Sequence, residues 1–174
     1  VVLAFEGAAG FNTIATARRG ASSWELTVEG KQGHSSGVFG AAGYGAIYEA
    51  ARIVNSFRET LSKEQYLTFN PGIFIGGSEV SANFEQQRGE ASGKTNIISP
   101  KTFVNGDLRF LTEEQKINAR NAMRKIVSES LPGAKATISF QDGIPSMAPT
   151  KGNEALANIL SKTSEDMGLG KVVP

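Results

Sequence analysis

The stretch "SSWELTVEGK", residues 22–31, decides the fold. Its side chains alternate, so that Trp24, Leu26 and Val28 lie on one face of an extended chain, while Glu25 and Thr27 lie on the other. Successive side chains of a β-strand point to opposite faces of the sheet. The stretch therefore predicts a half-buried strand with one face open to water, as in many antiparallel sheets.

A helix and a second strand are predicted next. Apolar or small residues at Gly43, Ile47, Ala50, Val54, Phe57 and Leu61 follow a spacing of three and four, which favours an amphipathic helix. Residues 66–77 again read as a strand, and Pro71 within them suits a bend or an edge strand. The polar residues 78–95 have weak periodicity, and we predict a hairpin excursion or a long loop there.

The rest of the pattern completes a known arrangement. Residues 95–110 return to extended structure, and Thr112 with Gln115 forms a capping-box signature for a second helix. Residues 135–140, "KATISF", alternate once more. The order strand, helix, strand, strand, helix, strand predicts an α+β, ferredoxin-like βαββαβ fold over residues 20–144, with an antiparallel four-stranded sheet and two helices on one face.

The two ends fall outside this pattern. Residues 1–19 open on the apolar run "VVLAFEG", without an initiator Met or a signal-peptide pattern, and residues 145–174 begin with a Pro-containing link, residues 145–153, before a last predicted helix. We expect the chain to be a segment of a longer protein, in which both ends connect to a neighbouring domain.

Charge and composition argue against several classes of protein. The formal net charge of the 174 residues is +1, with charges of both signs mixed along the chain. We therefore expect neither a nucleic-acid nor a membrane partner, and no apolar run approaches membrane-spanning length. The absence of cysteine rules out disulfides, thiol nucleophiles and thiolate metal sites. The sequence does not indicate the cellular compartment of the protein.

The residues that could take part in chemistry are few. His34 is the single histidine, and catalytic zinc sites usually need three protein ligands, so a complete metal site within the chain is not expected. His34 is either an exposed loop residue, or a ligand-binding group or oxyanion donor on a mobile loop. Arg109 is a solvated charge, a partner of Asp107 or a fork that binds a carboxylate. Asn96 suits a turn, and Glu6 follows an apolar strand.

A resemblance brings these four candidate residues together. The motifs "VVLAFEG", "RRG", "VEGKQGHSSG", "GAIYEAARIV", "TNIISP" and "GDLRF" follow one another in this order. In this order the chain resembles the zinc-dependent metallopeptidases that include glutamate carboxypeptidases, aminoacylases and acetylornithine deacetylases, and it is most similar to the glutamate-carboxypeptidase-like members. The resemblance implies that residues 20–144 are the dimerisation or lid domain. Residues 1–19 would then lead in from a catalytic domain, and residues 145–174 would return to it.

The resemblance also implies a role for each candidate. Glu6 matches a metal ligand of the catalytic domain, and His34 matches a catalytic histidine that reaches across a homodimer to polarise the scissile carbonyl of the partner's site. Asn96 and Arg109 match substrate-binding residues, with Arg109 on the terminal carboxylate of a peptide or an N-acyl amino acid. Two zinc ions are implied for the full-length parent, whereas this segment would hold none stably and be inactive alone.

Two features depart from the family pattern. The proline that usually follows the "NII" motif comes one residue later, at Pro100, and the segment 78–95 is a long insertion. The alternative interpretation of the chain is a stand-alone ferredoxin-like module that dimerises or binds a small ligand without catalysis.

Overall fold

The computed structural model describes residue 10 and residues 12–174. In chain order, the strands are β1 (Gly20–Gly30), β2 (Gly33–His34), β3 (Thr68–Gly77), β4 (Glu79–Asn83), β5 (Arg88–Ser92), β6 (Ile97–Ile98), β7 (Lys101–Phe110) and β8 (Ala134–Asp142). The α-helices are α1 (Gly45–Leu61), α2 (Glu113–Ser128) and α3 (Lys151–Asp166).

The main sheet has four strands in the order β3-β7-β1-β8, and every neighbouring pair is antiparallel. Strand β1 is an inner strand of this sheet, and it pairs along nearly its whole length with β7 and β8. Helices α1 and α2 contact the same strands from one side. The predicted α+β, ferredoxin-like fold is therefore confirmed.

The core lies between this sheet and the two helices. Trp24, Leu26 and Val28 are fully buried, and the indole ring of Trp24 meets the ring of Phe57 of α1 edge to face at 5.7 Å. Gly106 lies directly opposite Trp24 in the sheet, where a Cβ atom would approach the indole to 2.2 Å. A glycine at this position of β7 thus makes room for the largest core side chain.

Both helices confirm their sequence patterns, with one difference. At the start of α2, Gln115 N donates to Thr112 Oγ1 at 3.1 Å, while Gln115 Oε1 accepts from Leu111 N at 2.7 Å. In α1, however, Ile47 is 44% exposed, although the predicted apolar face includes it. Helix α1 begins only at Gly45, and its buried face is centred on Ala46, Ala50, Ile53 and Phe57.

The other segments lie outside the four-stranded sheet. Strands β4 and β5 form a hairpin, so the hairpin alternative for residues 78–95 is correct. The flanking segments pair with each other: Ile14 N donates to Val173 O at 3.0 Å, and Arg18 N donates to Met147 O at 2.8 Å. Among the described residues, no helix has both the length and the apolarity needed to cross a membrane.

Candidate functional site

His34 lies at the end of β2, where the chain turns into a single 3₁₀ turn, Ser35–Gly37. Its Nδ1 accepts a hydrogen bond from Ser36 N at 3.2 Å and lies 2.9 Å from Ser36 Oγ. A ring nitrogen that accepts from a backbone N–H carries no proton, so the proton of the neutral imidazole is on Nε2. The exposed loop histidine therefore presents Nε2–H as a donor.

Asn96 lies beside this histidine. Strand β2 pairs with β6, with His34 opposite Ile97, and Ser35 N donates to the backbone carbonyl of Asn96 at 2.9 Å. No local pattern in the sequence connects these two residues, which are far apart along the chain, and only the family resemblance grouped them. The structure thus brings two of the four predicted site residues together.

The loop that carries His34, residues 31–44, is called the histidine loop, and it lies against the turn at residues 131–133 that precedes β8. Tyr44 N donates to Pro132 O at 3.1 Å, and Lys31 N donates to Gly133 O at 3.2 Å. Gly43 has a φ of 72° and lies so close to this turn that a Cβ would be 2.3 Å from Pro132 O. Glycine is required there because other residues rarely adopt this backbone conformation and because their Cβ atom would overlap the carbonyl oxygen of Pro132.

A buried ion pair fixes that turn. The Glu49 carboxylate of α1 is fully buried and accepts from Arg52 Nη2 at 2.7 Å and from Leu131 N at 3.1 Å. Arg52 also donates to the backbone carbonyls of Ile126 and Glu129 at the end of α2. The hydrogen bond to Glu49 is the main cause that raises the pKa of Arg52. Through these hydrogen bonds Glu49 and Arg52 join α1 to the end of α2 and to the turn that supports the histidine loop.

Arg109 lies at the other end of β7. Its Nε donates to Asp107 Oδ2 at 2.7 Å, and both side chains are about half exposed, at 46% and 45%. The ion pair with Asp107 that the sequence allowed is thus formed, and it engages Nε alone. Among residues 12–174, no partner is found for the two terminal nitrogens of Arg109, which leaves a free fork.

Arg109 is far from His34 within one chain. Arg109 is eight residue steps along the extended strand from Lys101, and at about 3.3 Å per step the two are roughly 26 Å apart. His34 and Asn96 lie beyond the Lys101 end, whereas Arg109 is beside Ala21, near the flanking segments. A single site that uses all three side chains would need two chains.

The predicted metal ligand, Glu6, lies outside the described residues. Within the part of the chain that the structure describes, no group of three or more His, Asp or Glu side chains could hold a metal ion. These described residues therefore do not fit a complete zinc site.

Sequence reasoning missed two residues of this region, Ser36 and Glu49. Ser36 was visible in the motif "GHSS", but its bond to the imidazole depends on the turn that follows β2. Glu49 sits on the apolar face of α1, and a carboxylate there is the signal that could have indicated a buried pair.

Together, these features define a ferredoxin-like α+β domain in which hydrogen bonds hold the histidine loop at one end of the sheet. A family model described as "Peptidase dimerisation domain" matches residues 16–135, so the chain belongs to that family. This result confirms the resemblance seen in the sequence at the level of the family.

Solved structures with the same fold include several peptidases and amidohydrolases. A tripeptidase from Staphylococcus aureus has a TM-score of 0.71 at 20% identity, and the match covers 97% of this chain and 40% of that chain. An aminopeptidase PepT from Bacillus cereus has a TM-score of 0.63 at 19% identity, covering 93% and 39%. A hydantoinase/carbamoylase family amidase from Burkholderia phymatum has a TM-score of 0.65 at 11% identity, covering 92% and 37%.

At these identities the likeness shows the fold alone. The chain spans about two fifths of the length of the first two of these structures. A search of curated proteins found no match.

Proposed function

We propose that this chain is the dimerisation and lid domain of a zinc-dependent amidohydrolase of the glutamate-carboxypeptidase type, which cleaves an amide next to a free carboxylate. The observation that carries the proposal is the distribution of its polar groups. His34 and Asn96 share one end of the sheet, and Arg109 lies at the other end, beside the flanking segments. In a symmetric homodimer, each site receives His34 and Asn96 from one chain and Arg109 from the other.

The surface that forms this dimer is an apolar patch next to the histidine loop. We name it the α1–β3 surface; it consists of Phe39, Ile47, Tyr48 and Phe74, which are 57%, 44%, 53% and 43% exposed. The Phe39 ring, in the chain just after His34, contacts the ring of Tyr48 with 5.2 Å between centroids. An exposed apolar patch on an edge strand and its adjacent helix favours association with a second copy.

The opposite edge of the sheet, at β8, carries charged side chains. Next to β8, the guanidinium groups of Arg120 and Arg124 lie over the ring of Phe140, at 5.0 and 4.9 Å from its centroid. Asp142 forms ion pairs with Arg120 and with Lys116. Charged side chains protect an edge against pairing, so β3 is the better edge for a dimer.

The flanking segments support a connection to further protein. Helix α3 exposes an apolar side, with Ile159 and Leu160 at least two fifths exposed, and Met167 directly after the helix is exposed as well. On our proposal, residues 1–19 and 145–174 connect residues 20–144 to a catalytic domain, and this domain covers the apolar side of α3.

In the proposed reaction, this chain binds and polarises the substrate. His34 donates from Nε2–H to the carbonyl oxygen of the scissile amide, where negative charge develops. Asn96 binds the substrate beside it, and the free fork of Arg109 holds the terminal carboxylate. Metal ligands come from outside the described residues, and Glu6 is the candidate that this chain supplies. The isolated segment is therefore expected to be inactive.

The proposal is tested by substitution in the full-length enzyme. His34→Ala should lower kcat on the order of 10²–10³-fold, the size of a lost oxyanion donor, while the metal content is unchanged. Arg109→Ala should raise KM most for substrates that end in a free acid. An unchanged kcat for His34→Ala, or equal losses of Arg109→Ala on amidated substrates, would contradict the assigned roles.

The dimer surface is tested on the chain itself by sedimentation. Tyr48→Arg should shift the chain from dimer to monomer, because it places a charge in the α1–β3 surface. The matched control is Ile117→Arg, at a similarly exposed apolar residue of α2. If both variants stay dimeric, or if both dissociate, the α1–β3 surface is not the interface.

A further inference from the structure

A second arginine lies at the same corner of the sheet as Arg109. Arg19, just before β1, donates from Nη1 to Thr68 Oγ1 on β3 at 3.1 Å. Strand β7 lies between β1 and β3, so the Arg19 side chain extends over two strand spacings, about 9–10 Å, to reach Thr68. It therefore crosses the end of β7 on the face that the helices leave open.

Thr68 is also the cross-strand neighbour of Arg109. The two residues are directly opposite in the pairing of β3 with β7, and Ala21 is opposite Arg109 on the β1 side. Side chains of directly opposite residues have Cβ atoms about 4.5–5.5 Å apart and lie on one face. The Arg19 guanidinium and the Arg109 side chain thus meet beside a single threonine.

The two guanidinium groups at this corner have a single carboxylate partner among the described residues, the side chain of Asp107. Asp107 engages Nε of Arg109, and Thr68 accepts from Nη1 of Arg19. Within residues 12–174, the other nitrogens of the two guanidinium groups have no protein partner. Two like charges with only one carboxylate nearby, on the side of Arg109 away from Arg19, favour the binding of an anion, and each free guanidinium edge matches the two oxygens of a carboxylate.

We propose that Arg19 and Arg109 form a site for a ligand with two carboxylates, such as the C-terminal glutamate or aspartate of a peptide or N-acyl amino acid. Arg109 binds the terminal carboxylate, which rests on the proposed function, and Arg19 binds the second one. Two forks that approach from different strands fit two carboxylates of one molecule better than one compact anion. Thr68 positions Arg19 through its hydroxyl.

The test is a titration of the chain that needs neither metal nor hydrolysis. N-acetylglutamate is compared with N-acetylglutamine, which has the same shape and lacks the second charge, with backbone amide NMR signals of Ala21, Thr68 and Arg109 as reporters. The wild type should bind N-acetylglutamate about tenfold more tightly, the lower end of the contribution of a charge-assisted hydrogen bond, since the corner is exposed.

Variants assign the preference to Arg19. Arg19→Met should bring the ratio of the two dissociation constants to about one while N-acetylglutamine binding is kept, and Arg109→Met should weaken both ligands. Thr68→Val should reduce the ratio without removing charge, and Arg58→Met, at an exposed arginine of α1, should change nothing.

Three results would overturn the proposal. They are an equal affinity of the wild type for both ligands, a tenfold ratio that survives Arg19→Met, and inorganic phosphate that binds the same residues as tightly as N-acetylglutamate. Failure of this titration would leave the role of His34 untouched. Conversely, an unchanged kcat of His34→Ala would contradict the role of His34 without affecting the carboxylate site that this titration measures.

Discussion

Substitution of Glu49 should cost more stability than any exposed charge of the chain. Its carboxylate is fully buried and accepts hydrogen bonds from Arg52 and from Leu131 N. Glu49→Ala leaves the guanidinium of Arg52, 25% exposed, without its counter-ion and one buried N–H without an acceptor. Breaking a buried pair on one side costs about 3–5 kcal/mol. We expect about 3 kcal/mol, because Arg52 retains two backbone carbonyls and some contact with water.

The measurement is urea unfolding, followed by the fluorescence of Trp24, the single and fully buried tryptophan. A loss of about 3 kcal/mol corresponds to a fall in Tm of roughly 6–12 °C for a domain of this size. Glu59→Ala is the matched control, because Glu59 is an exposed carboxylate on the same helix. It should change the free energy of unfolding by less than about 0.5 kcal/mol.

A double substitution separates the ion pair from simple loss of packing. Replacing Glu49 and Arg52 together by Met removes both charges, so it should cost less than Glu49→Ala, since no unpaired charge stays buried. A cost of Glu49→Ala below about 1 kcal/mol would refute the reasoning from the buried pair. A double variant that is less stable than Glu49→Ala would refute it as well.

Three further predictions concern single positions. Ser36→Ala should keep the backbone bond to His34 Nδ1 and hence the Nε2–H tautomer, read from the imidazole nitrogen shifts; a dominant Nδ1–H form would contradict this. Gly106→Ala should destabilise the chain by about 1–3 kcal/mol in urea unfolding, because its Cβ would overlap Trp24; a change below about 0.5 kcal/mol would refute the overlap. Basic side chains of α2, chiefly Arg120, hold the pKa of Asp142 below its ordinary value of 3.8, so the ion pairs of Asp142 stabilise the fold above about pH 4 and this contribution is lost as the pH falls through the lowered pKa. Asp142→Asn should therefore make the free energy of unfolding depend less on pH in the acid range. An unchanged dependence would refute the assignment.

Local patterns predicted the parts of the fold that depend on near neighbours in sequence. The alternation around Trp24 fixed the face of β1, and Thr112 marked the start of α2, because strand faces and helix caps are set within a few residues. Ile47 shows the limit of such patterns. It follows the helical spacing, yet it is exposed in the single chain and belongs to the surface that we assign to the dimer.

The candidate site depended on contacts that sequence spacing does not contain. The neighbourhood of His34 and Asn96 arises from the pairing of β2 with β6, and the approach of Arg19 to Arg109 arises from the strand order. Both contacts join residues that are far apart along the chain. The bond from Ser36 is local, but it requires the 3₁₀ turn, for which the sequence showed only a Gly/Ser-rich loop.

The central claim is that His34 and Arg109 of different chains serve one site. The most direct test mixes His34→Ala subunits with Arg109→Ala subunits of the full-length enzyme, at a concentration of an acid-terminated substrate well below the raised KM, where each variant alone has little activity. If the claim holds, every mixed dimer has one site with both residues intact, so random mixing should restore about a quarter of wild-type activity. If both residues of one chain serve the same site, no mixed dimer has an intact site. The mixture would then stay as inactive as its components, and that result would contradict the account.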